Sequence, residues 1–536
     1  MTNARTHLTI VSNRLPCVVE RREGKWAVQP ASGGLVSALA PVLKQRGGTW
    51  VGWCGAVESD DVDVERLLSQ GDAQRGFDLR PVHLTTTQRD HFYEGFSNEI
   101  IWPLFHSLDD GCNFDPAYWR AYTDVNHKFA EIVTEVSSRS GSFLWIHDYH
   151  LMLLGDRLRA MGVREQLGFF LHIPFPPLDT FLKLPWRSQL IRAMMAYDTI
   201  GFQTLRDRRN FTQCVRALQR DISISGRGRL QTITTADRRV RVGVFPISID
   251  YRGFSADAGK AEVEKRVSEI RSELAGRTML LGLDRLDYTK GITPRLKAFR
   301  RLLERSPNLR GRVRFVQVVV PSRSGIALYR HQKEAIEELV GEINGKFSTP
   351  GWVPVHYTYR SMKRAELLAN YRAADVALVT PLNDGMNLVA KEYCATNIDE
   401  TGVLVLSEFA GAAAELHRGA ILVNPYDVEG TADAIAQAIF MPDDERRERM
   451  SRLRRVIRQN DIGRWVDQFL ATSVPNDLQD SAPPPSEPLQ LESESGSVES
   501  LSPRSKPRNS VILTSPPRTS LENEGEGVLR DGASKH

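Results

Sequence analysis

The chain has 536 residues, 41% hydrophobic and 25% charged, and its 70 Lys and Arg against 66 Asp and Glu leave a formal charge of +4. That length holds about two to four domains with buried cores, and the composition excludes collagen-like, coiled-coil and wholly disordered chains. Without a dense basic block, the small charge gives no footing to nucleic-acid binding and suits a small anionic substrate held by a few cations.

The opening run, MTNARTHLTIVSNRLP, has no long apolar h-region and no small-residue cleavage site. No apolar run approaches bilayer-spanning length. Five scattered cysteines (Cys17, Cys54, Cys112, Cys214, Cys394) form no C-x-x-C pair, so a cytoplasmic protein without disulfides, a cysteine zinc site or a membrane span is expected. Short β-branched runs then alternate with longer amphipathic stretches, the pattern of α/β layers around parallel sheets. Strands are predicted at Leu8–Ser12, Phe143–Ile146, Gly168–His172, Thr199–Phe202 and Arg239–Phe245, with helices over Tyr118–Ser138 and Leu182–Ala196. A second series of strands covers Thr278–Leu283, Arg314–Val320, Val353–Tyr359, Asp375–Thr380, Val403–Leu406 and Ile421–Val423. Two doubly wound domains joined near Pro246–Gly253 follow. From about Thr472 the chain turns to Ser, Pro and Glu without periodicity, a composition that predicts disorder.

Ligands of doubly wound sheets bind outside the carboxyl ends of the strands. In the first half those positions hold Arg14 after LTIVSN, Gly33-Gly34 before a helix, Asp148 after FLWIH, and His172 closing LGFFLH. A buried histidine is more often a satisfied core group than a catalyst, and both readings of His172 stand at this point. His147 and His150 are three apart at a strand exit with no third ligand, and Asp61-Val62-Asp63 lies in a polar loop, so no metal site is expected. In LGLDRLDYTKGI, Arg285 and Lys290 follow a strand end and can clamp a diphosphate, or pair with Asp284 and Asp287 on the surface. In LVTPLNDGMNLVAKEY, Asp384-Gly385 makes a turn and Asn387 to Glu392 open a helix whose free N–H groups suit phosphate. Glu392 there can accept ribose hydroxyls or complement the helix dipole.

The stretches VSNRLP, SGGLVSAL, YEGFSNEIIWPLFH, WIHDYHL, GFFLHIPFP, LDRLDYTKGI, EINGKF, LVTPLNDGMNLVAKEY and VLSEFAGAAAEL occur in order. Through them, from about Leu8 to Leu470, the chain resembles the trehalose-6-phosphate synthases of the OtsA type, retaining transferases of glycosyltransferase family 20. The resemblance implies a GT-B fold. It places an acceptor-binding Rossmann-like domain at 1–248 and a nucleotide-sugar domain at 249–455. A helix crossing back covers 456–471, and the tail covers 472–536. It implies glucose transfer from UDP-glucose to glucose 6-phosphate without metal or other cofactor. His172, Asp384, Arg285 and Lys290 are its implied catalytic groups. Gly33, Gly34, Arg285, Lys290, Met362, Leu388, Val389, Ala390, Lys391 and Glu392 are the implied donor contacts, and Arg14, Tyr93, Trp102, Asp148 and Arg323 the acceptor contacts. Asn383 stands where an arginine is common, which leaves GDP- or ADP-glucose as alternative donors. Glycerol 3-phosphate as acceptor and a non-catalytic sugar-phosphate sensor are the alternative functions. The tail carries no phosphatase motif, so a separate phosphatase is expected downstream. A homo-oligomer, and no membrane or nucleic-acid partner, completes the expectation.

Overall fold

The computed structural model describes residues 7–22, 24–31, 34–70, 75–137, 142–323 and 326–473. The expected disordered tail, apart from Thr472 and Ser473, lies outside them, as does Gly33.

The first half builds a nine-stranded sheet from β1 (His7–Arg14), β4 (Thr49–Trp53), β5 (Asp78–Pro81), β6 (Ser142–His147), β7 (Gln166–Phe170), β8 (Thr199–Phe202), β9 (Ser223–Ser225), β10 (Leu230–Thr234) and β11 (Arg239–Val244), while β2 (Cys17–Arg22) and β3 (Lys25–Pro30) form a separate hairpin. The strand order is β5-β4-β1-β6-β7-β8-β11-β10-β9; β5 through β11 run parallel, and β10 and β9 close the edge antiparallel. The central strands are buried along their whole length (SFLWIH in β6, TWVGW in β4), as both faces of a doubly wound sheet require. The second half builds a six-stranded parallel sheet from β12 (Thr278–Arg285), β13 (Val313–Val320), β14 (Val355–Tyr359), β15 (Val376–Val379), β16 (Val403–Ser407) and β17 (Ile421–Val423), in the order β14-β13-β12-β15-β16-β17. The fold is therefore α/β with two Rossmann-like sheets.

Several predicted elements shift. The helix expected over Leu182–Ala196 forms only over Arg187–Met194, because Pro185 falls where a helix begun at Leu182 would need its N–H, and a separate short helix, Leu178–Phe181, precedes it. The strand ending in His172 stops at Phe170. The crossing helix begins at Ile462, not 456; residues 456–459 complete the preceding helix, Asp443–Gln459, and the crossing helix runs on through Thr472 to Ser473. That helix lays Trp465 and Phe469 on the first sheet. Phe469 stacks on Trp145 at 4.6 Å and 7°, and the Trp465 indole N–H donates to the Phe245 carbonyl at 3.0 Å. Phe469 is fully buried, so Phe469→Ala should destabilise by about 3–5 kcal/mol. Denaturant melts of both proteins would read this, and a loss under about 1 kcal/mol would mean the helix is not part of the core.

Candidate functional site

The carboxyl ends of β1, β6, β7, β12, β13 and β15 carry the polar residues that the sequence singles out. Parallel strands leave these ends without a partner turn, so side chains there are free to point into the gap between the sheets. Backbone strain gathers at the same place. Asp148 (φ +77°), Arg323 (φ +47°) and Asn387 (φ +65°) are three of the seven non-glycine residues with positive φ among the described residues, and all three are site residues.

On the first sheet, β1 slips register between Val11 and Arg14, and the irregularity re-aims the arginine. Its guanidinium lies 3.8 Å over the Trp53 ring and 5.1 Å from Tyr93. Arg323, beyond β13, stacks 4.1 Å over Trp102 and donates to the hydroxyls of Tyr149 (3.1 Å) and Tyr329. Two guanidiniums are thus held over aromatic rings, contacts that restrict the fork and leave N–H groups for an anion. Their field is visible on Tyr93: burial pushes its hydroxyl up, but Arg323 and Arg14 outweigh that and hold it below the ordinary tyrosine value. Asp148 accepts the His172 N–H at 3.2 Å, and loss of hydration lifts its carboxyl to about 6.

On the second sheet, the alternative surface pairing of Arg285 and Lys290 with Asp284 and Asp287 does not occur. Asp284 pairs with buried Arg295 at 2.6 Å, and Asp287 caps its own turn, accepting the Thr289 N–H at 3.0 Å and lying 3.8 Å from Arg323. Arg295 also donates to the Lys290 carbonyl at 3.1 Å, which anchors the loop. Gly291 turns that loop at φ +63°, where a Cβ would lie 2.1 Å from the Thr380 carbonyl oxygen. Lys290 reaches Asp384 at 2.6 Å with both side chains largely buried. Burial would raise the Asp384 carboxyl, yet Lys290 holds it below the usual carboxylate range. Arg285, in register with Val320 at the end of the β12–β13 ladder, is exposed, and its side chain is not drawn into the ion pairs of Asp284 or Asp287.

The helix Leu388–Thr396 follows Asn387, which adopts the left-handed conformation and gives no side-chain cap. The N–H groups of Leu388, Val389 and Ala390 therefore lack helical partners. Lys391 differs from expectation: its N–H falls within the helical ladder, and its buried Nζ turns away, donating to the Ile247 carbonyl at 2.7 Å and pairing with Glu415. Glu392 is the fifth helical residue, so it does not serve the first turn; it accepts the Tyr371 hydroxyl at 3.0 Å, and burial raises its carboxyl. Gly34 opens the helix Gly34–Arg46, so close to Leu388 that a Cβ would lie 2.7 Å from its Cδ1. Met362 lies just beyond β14, its sulfur 3.8 Å from the Asn370 amide, beside a cavity also lined by Met279, His356 and Arg360.

The His172 ring is not open to the cleft. Gln203 accepts the Ile247 N–H at 2.9 Å, so its amide nitrogen faces His172 Nδ1 at 3.4 Å; Nε2 then faces His147 Nδ1 at 3.1 Å. Packing against Trp465 and Phe170 closes the rest. What His172 presents is its carbonyl, against which the 383–387 turn docks: a Cβ at Gly385 would lie 2.3 Å from that oxygen. Asn383 adds a bond to the His106 carbonyl at 3.0 Å. The backbone carbonyl, not the ring, meets the Asp384 turn, and the ring is held by Gln203 and His147. Tyr149, Trp53 and Gln203 were not singled out by sequence reasoning, although Tyr149 lies inside the WIHDYHL stretch.

Burial holds four histidines below their ordinary value: His106 at about 4, His172 at about 3, and His147 and His150 well below 6.5. The unfolded chain takes up these protons below pH 6.5 while the folded one refuses them. This stability is therefore present above pH 6.5 and is lost as pH falls toward 3–4. Asp148 works in the opposite direction, since its folded carboxyl binds a proton first. Burial raises the carboxyls of Glu94, Asp207, Asp284 and Glu392 as it does that of Asp148, so a single substitution isolates the histidine contribution: His172→Gln should lessen the loss of stability between pH 7 and pH 4.5 by about 2 kcal/mol. An unchanged slope in the variant would contradict the assignment.

Among the described residues no group of three His, Cys, Asp or Glu side chains is arranged to hold a metal ion, and no helix is long and apolar enough to cross a membrane.

Comparison with known proteins agrees with this architecture. The sequence profile of glycosyltransferase family 20 matches residues 6–473. A trehalose-6-phosphate synthase of Mycobacterium marinum is 44% identical over 483 residues, covering 88% of this chain and 95% of the relative. The crystal structure of a UDP-forming α,α-trehalose-phosphate synthase from Burkholderia xenovorans, in complex with glucose 6-phosphate, superposes with a TM-score of 0.78 at 35% identity, covering 87% of this chain and 99% of that one. An E. coli structure bound with UDP-2-fluoro glucose gives a TM-score of 0.77 at 34% identity, with 87% and 98% covered.

Proposed function

The chain belongs to glycosyltransferase family 20, and from that premise we propose that it transfers glucose from UDP-glucose to glucose 6-phosphate with retention, forming α,α-trehalose 6-phosphate and UDP. The observation that carries this reading is the pairing of two cationic sites on facing strand ends. Arg14, on the first sheet, and Arg323, at a strand end of the second, lie over aromatic rings. Across from Arg14, and on the same sheet as Arg323, Lys290 is fixed on Asp384 beside exposed Arg285 and an uncapped helix N-terminus. A dianionic acceptor and a diphosphate donor repel each other, and this arrangement offsets both charges.

The roles follow from that division. Arg14 and Arg323 take the acceptor's phosphate, with Tyr93 and Trp102 as the walls of its pocket and Asp148 accepting from its sugar hydroxyls. Arg285, Lys290 and the N–H groups of Leu388 to Ala390 take the diphosphate, and Glu392 takes the ribose. Gly34, with Gly33 before it, lies at the diphosphate end, and Met362 flanks the base. Asp384 faces the transferred glucose. As the glycosidic bond breaks, charge grows on the departing UDP, and Lys290, Arg285 and the helix N-terminus stabilise it without a metal. The acceptor hydroxyl attacks from the face that UDP leaves, and its proton passes to the departing phosphate oxygen. The product keeps its phosphate, so a separate phosphatase must consume it; a homo-oligomer in the cytoplasm, with no nucleic-acid or membrane partner, is part of the same proposal.

The test is UDP release in the presence of EDTA. UDP-, GDP- and ADP-glucose would each be offered with glucose 6-phosphate or glycerol 3-phosphate. Turnover with UDP-glucose and glucose 6-phosphate supports the reading. Turnover only with another pair would replace the donor or the acceptor, and binding of glucose 6-phosphate without turnover would make the chain a sensor.

A further inference from the structure

The segment Arg89–Ile101 is a π-helix of 13 residues, closed at its end by the Trp102 N–H donating to the Ser97 carbonyl. Tyr93 and Trp102 are nine residues apart. Nine residues make about two turns of a π-helix but about two and a half turns of an α-helix. Only the wider winding brings both rings to one side, where Tyr93 lies beside Arg14 and Trp102 lies under Arg323. Asn98 sits inside this winding, five residues after Tyr93 and almost fully buried.

Its side chain makes two directional bonds. The amide nitrogen donates to the Tyr93 carbonyl at 2.7 Å, which leaves the amide oxygen as acceptor, and the Tyr149 hydroxyl donates to that oxygen at 3.0 Å. With its proton committed to Asn98, the Tyr149 oxygen turns lone pairs outward, and Arg323 Nη2 donates to it at 3.1 Å. A hydroxyl free to rotate would spend part of its time pointing its proton at the guanidinium.

We propose that Asn98 is a positioning residue for acceptor recognition: through the Tyr149 hydroxyl it sets the orientation of Arg323 toward the phosphate of the sugar acceptor, and through the Tyr93 carbonyl it locks the π-helical winding that places Tyr93 and Trp102 around it. The inference rests on the function proposed above and deepens it. It also accounts for why Arg323 tolerates a positive φ (+47°): the residue is held from two sides, by Tyr149 and Tyr329.

The experiment compares Asn98→Ala, Tyr149→Phe and the double variant with the unmodified protein, measuring KM for each substrate and the affinity for glucose 6-phosphate by tryptophan fluorescence. Losing a directed, charge-assisted bond should raise KM for glucose 6-phosphate about ten- to hundred-fold, with KM for UDP-glucose changed less than about threefold. Because Asn98 acts in part through the Tyr149 hydroxyl and in part through the Tyr93 carbonyl, the double variant should lose less than the two single losses combined. Equal losses on both substrates, or fully additive losses, would overturn the proposal. Should Asn98→Ala fail to fold, Tyr149→Phe decides by itself: it removes one oxygen, and an unchanged acceptor KM refutes the relay. If the unmodified protein binds glucose 6-phosphate but does not turn over, the proposed function falls, and the fluorescence titrations still read the relay.

Discussion

Replacing Lys290 with alanine is expected to lower kcat about 10²–10³-fold, while the KM values for both substrates change much less. Lys290 does not reach toward open solvent. It is held 2.6 Å from Asp384, and its loop is pinned by Arg295 on the Lys290 carbonyl. A cation so fixed gains most where charge is greatest, and on this chain's chemistry that is the departing diphosphate. A rise in the UDP-glucose KM with kcat intact would instead show uniform binding of ground and transition states. The substitution also strands the Asp384 carboxylate in a buried setting, which costs about 3–5 kcal/mol of stability. The two effects are separable. Adding Asp384→Asn removes the orphaned charge and should restore Tm, while turnover stays low because Arg285 is left as the one side-chain cation assigned to UDP.

The second large effect concerns the acceptor. Arg323→Ala should raise KM for glucose 6-phosphate about 100-fold and leave KM for UDP-glucose within about threefold, because the guanidinium, although 3.8 Å from Asp287 of the donor loop, stacks on Trp102 and donates to Tyr149 and Tyr329. Arg323→Lys should recover little, since an ammonium can neither stack on Trp102 nor fork onto a phosphate. Steady-state kinetics with one substrate varied at a time decides it. An equal rise in both KM values would mean that Arg323 holds the two halves together instead of holding the acceptor.

Why some of this was legible in the sequence and some was not has a physical pattern. Buried parallel strands such as Phe143–Ile146 and Thr199–Phe202 read as continuous apolar runs, and the cations that follow strand ends are readable by position. The strands Thr49–Trp53 and Asp78–Pro81 were missed because a glycine in one and a proline in the other break the usual pattern. The late start of the helix at Arg187 follows from Pro185, which the apolar pattern alone does not register, whereas the start of the crossing helix at Ile462 depends on packing that no periodicity reports. At the site, the residues that touch solvent in the cleft were found, whereas those that act from behind were not. Lys391 looked like part of the phosphate-binding turn because it lies in LVAKEY, yet its side chain serves the Ile247 carbonyl. His172 looked like a cleft residue because it follows a strand, yet Gln203 and His147 occupy both ring nitrogens. Tyr149 and Asn98 gave no signal, since their roles depend on which way one hydroxyl proton points.

The central claim is a single transfer from UDP-glucose to glucose 6-phosphate that preserves the anomeric configuration. Proton NMR of the product mixture, taken while the reaction runs with metal chelated, tests it most directly. The account predicts one non-reducing disaccharide phosphate with both anomeric couplings in the small α range, appearing in step with UDP. A β-linked or reducing product, or free glucose in place of the disaccharide, would contradict it.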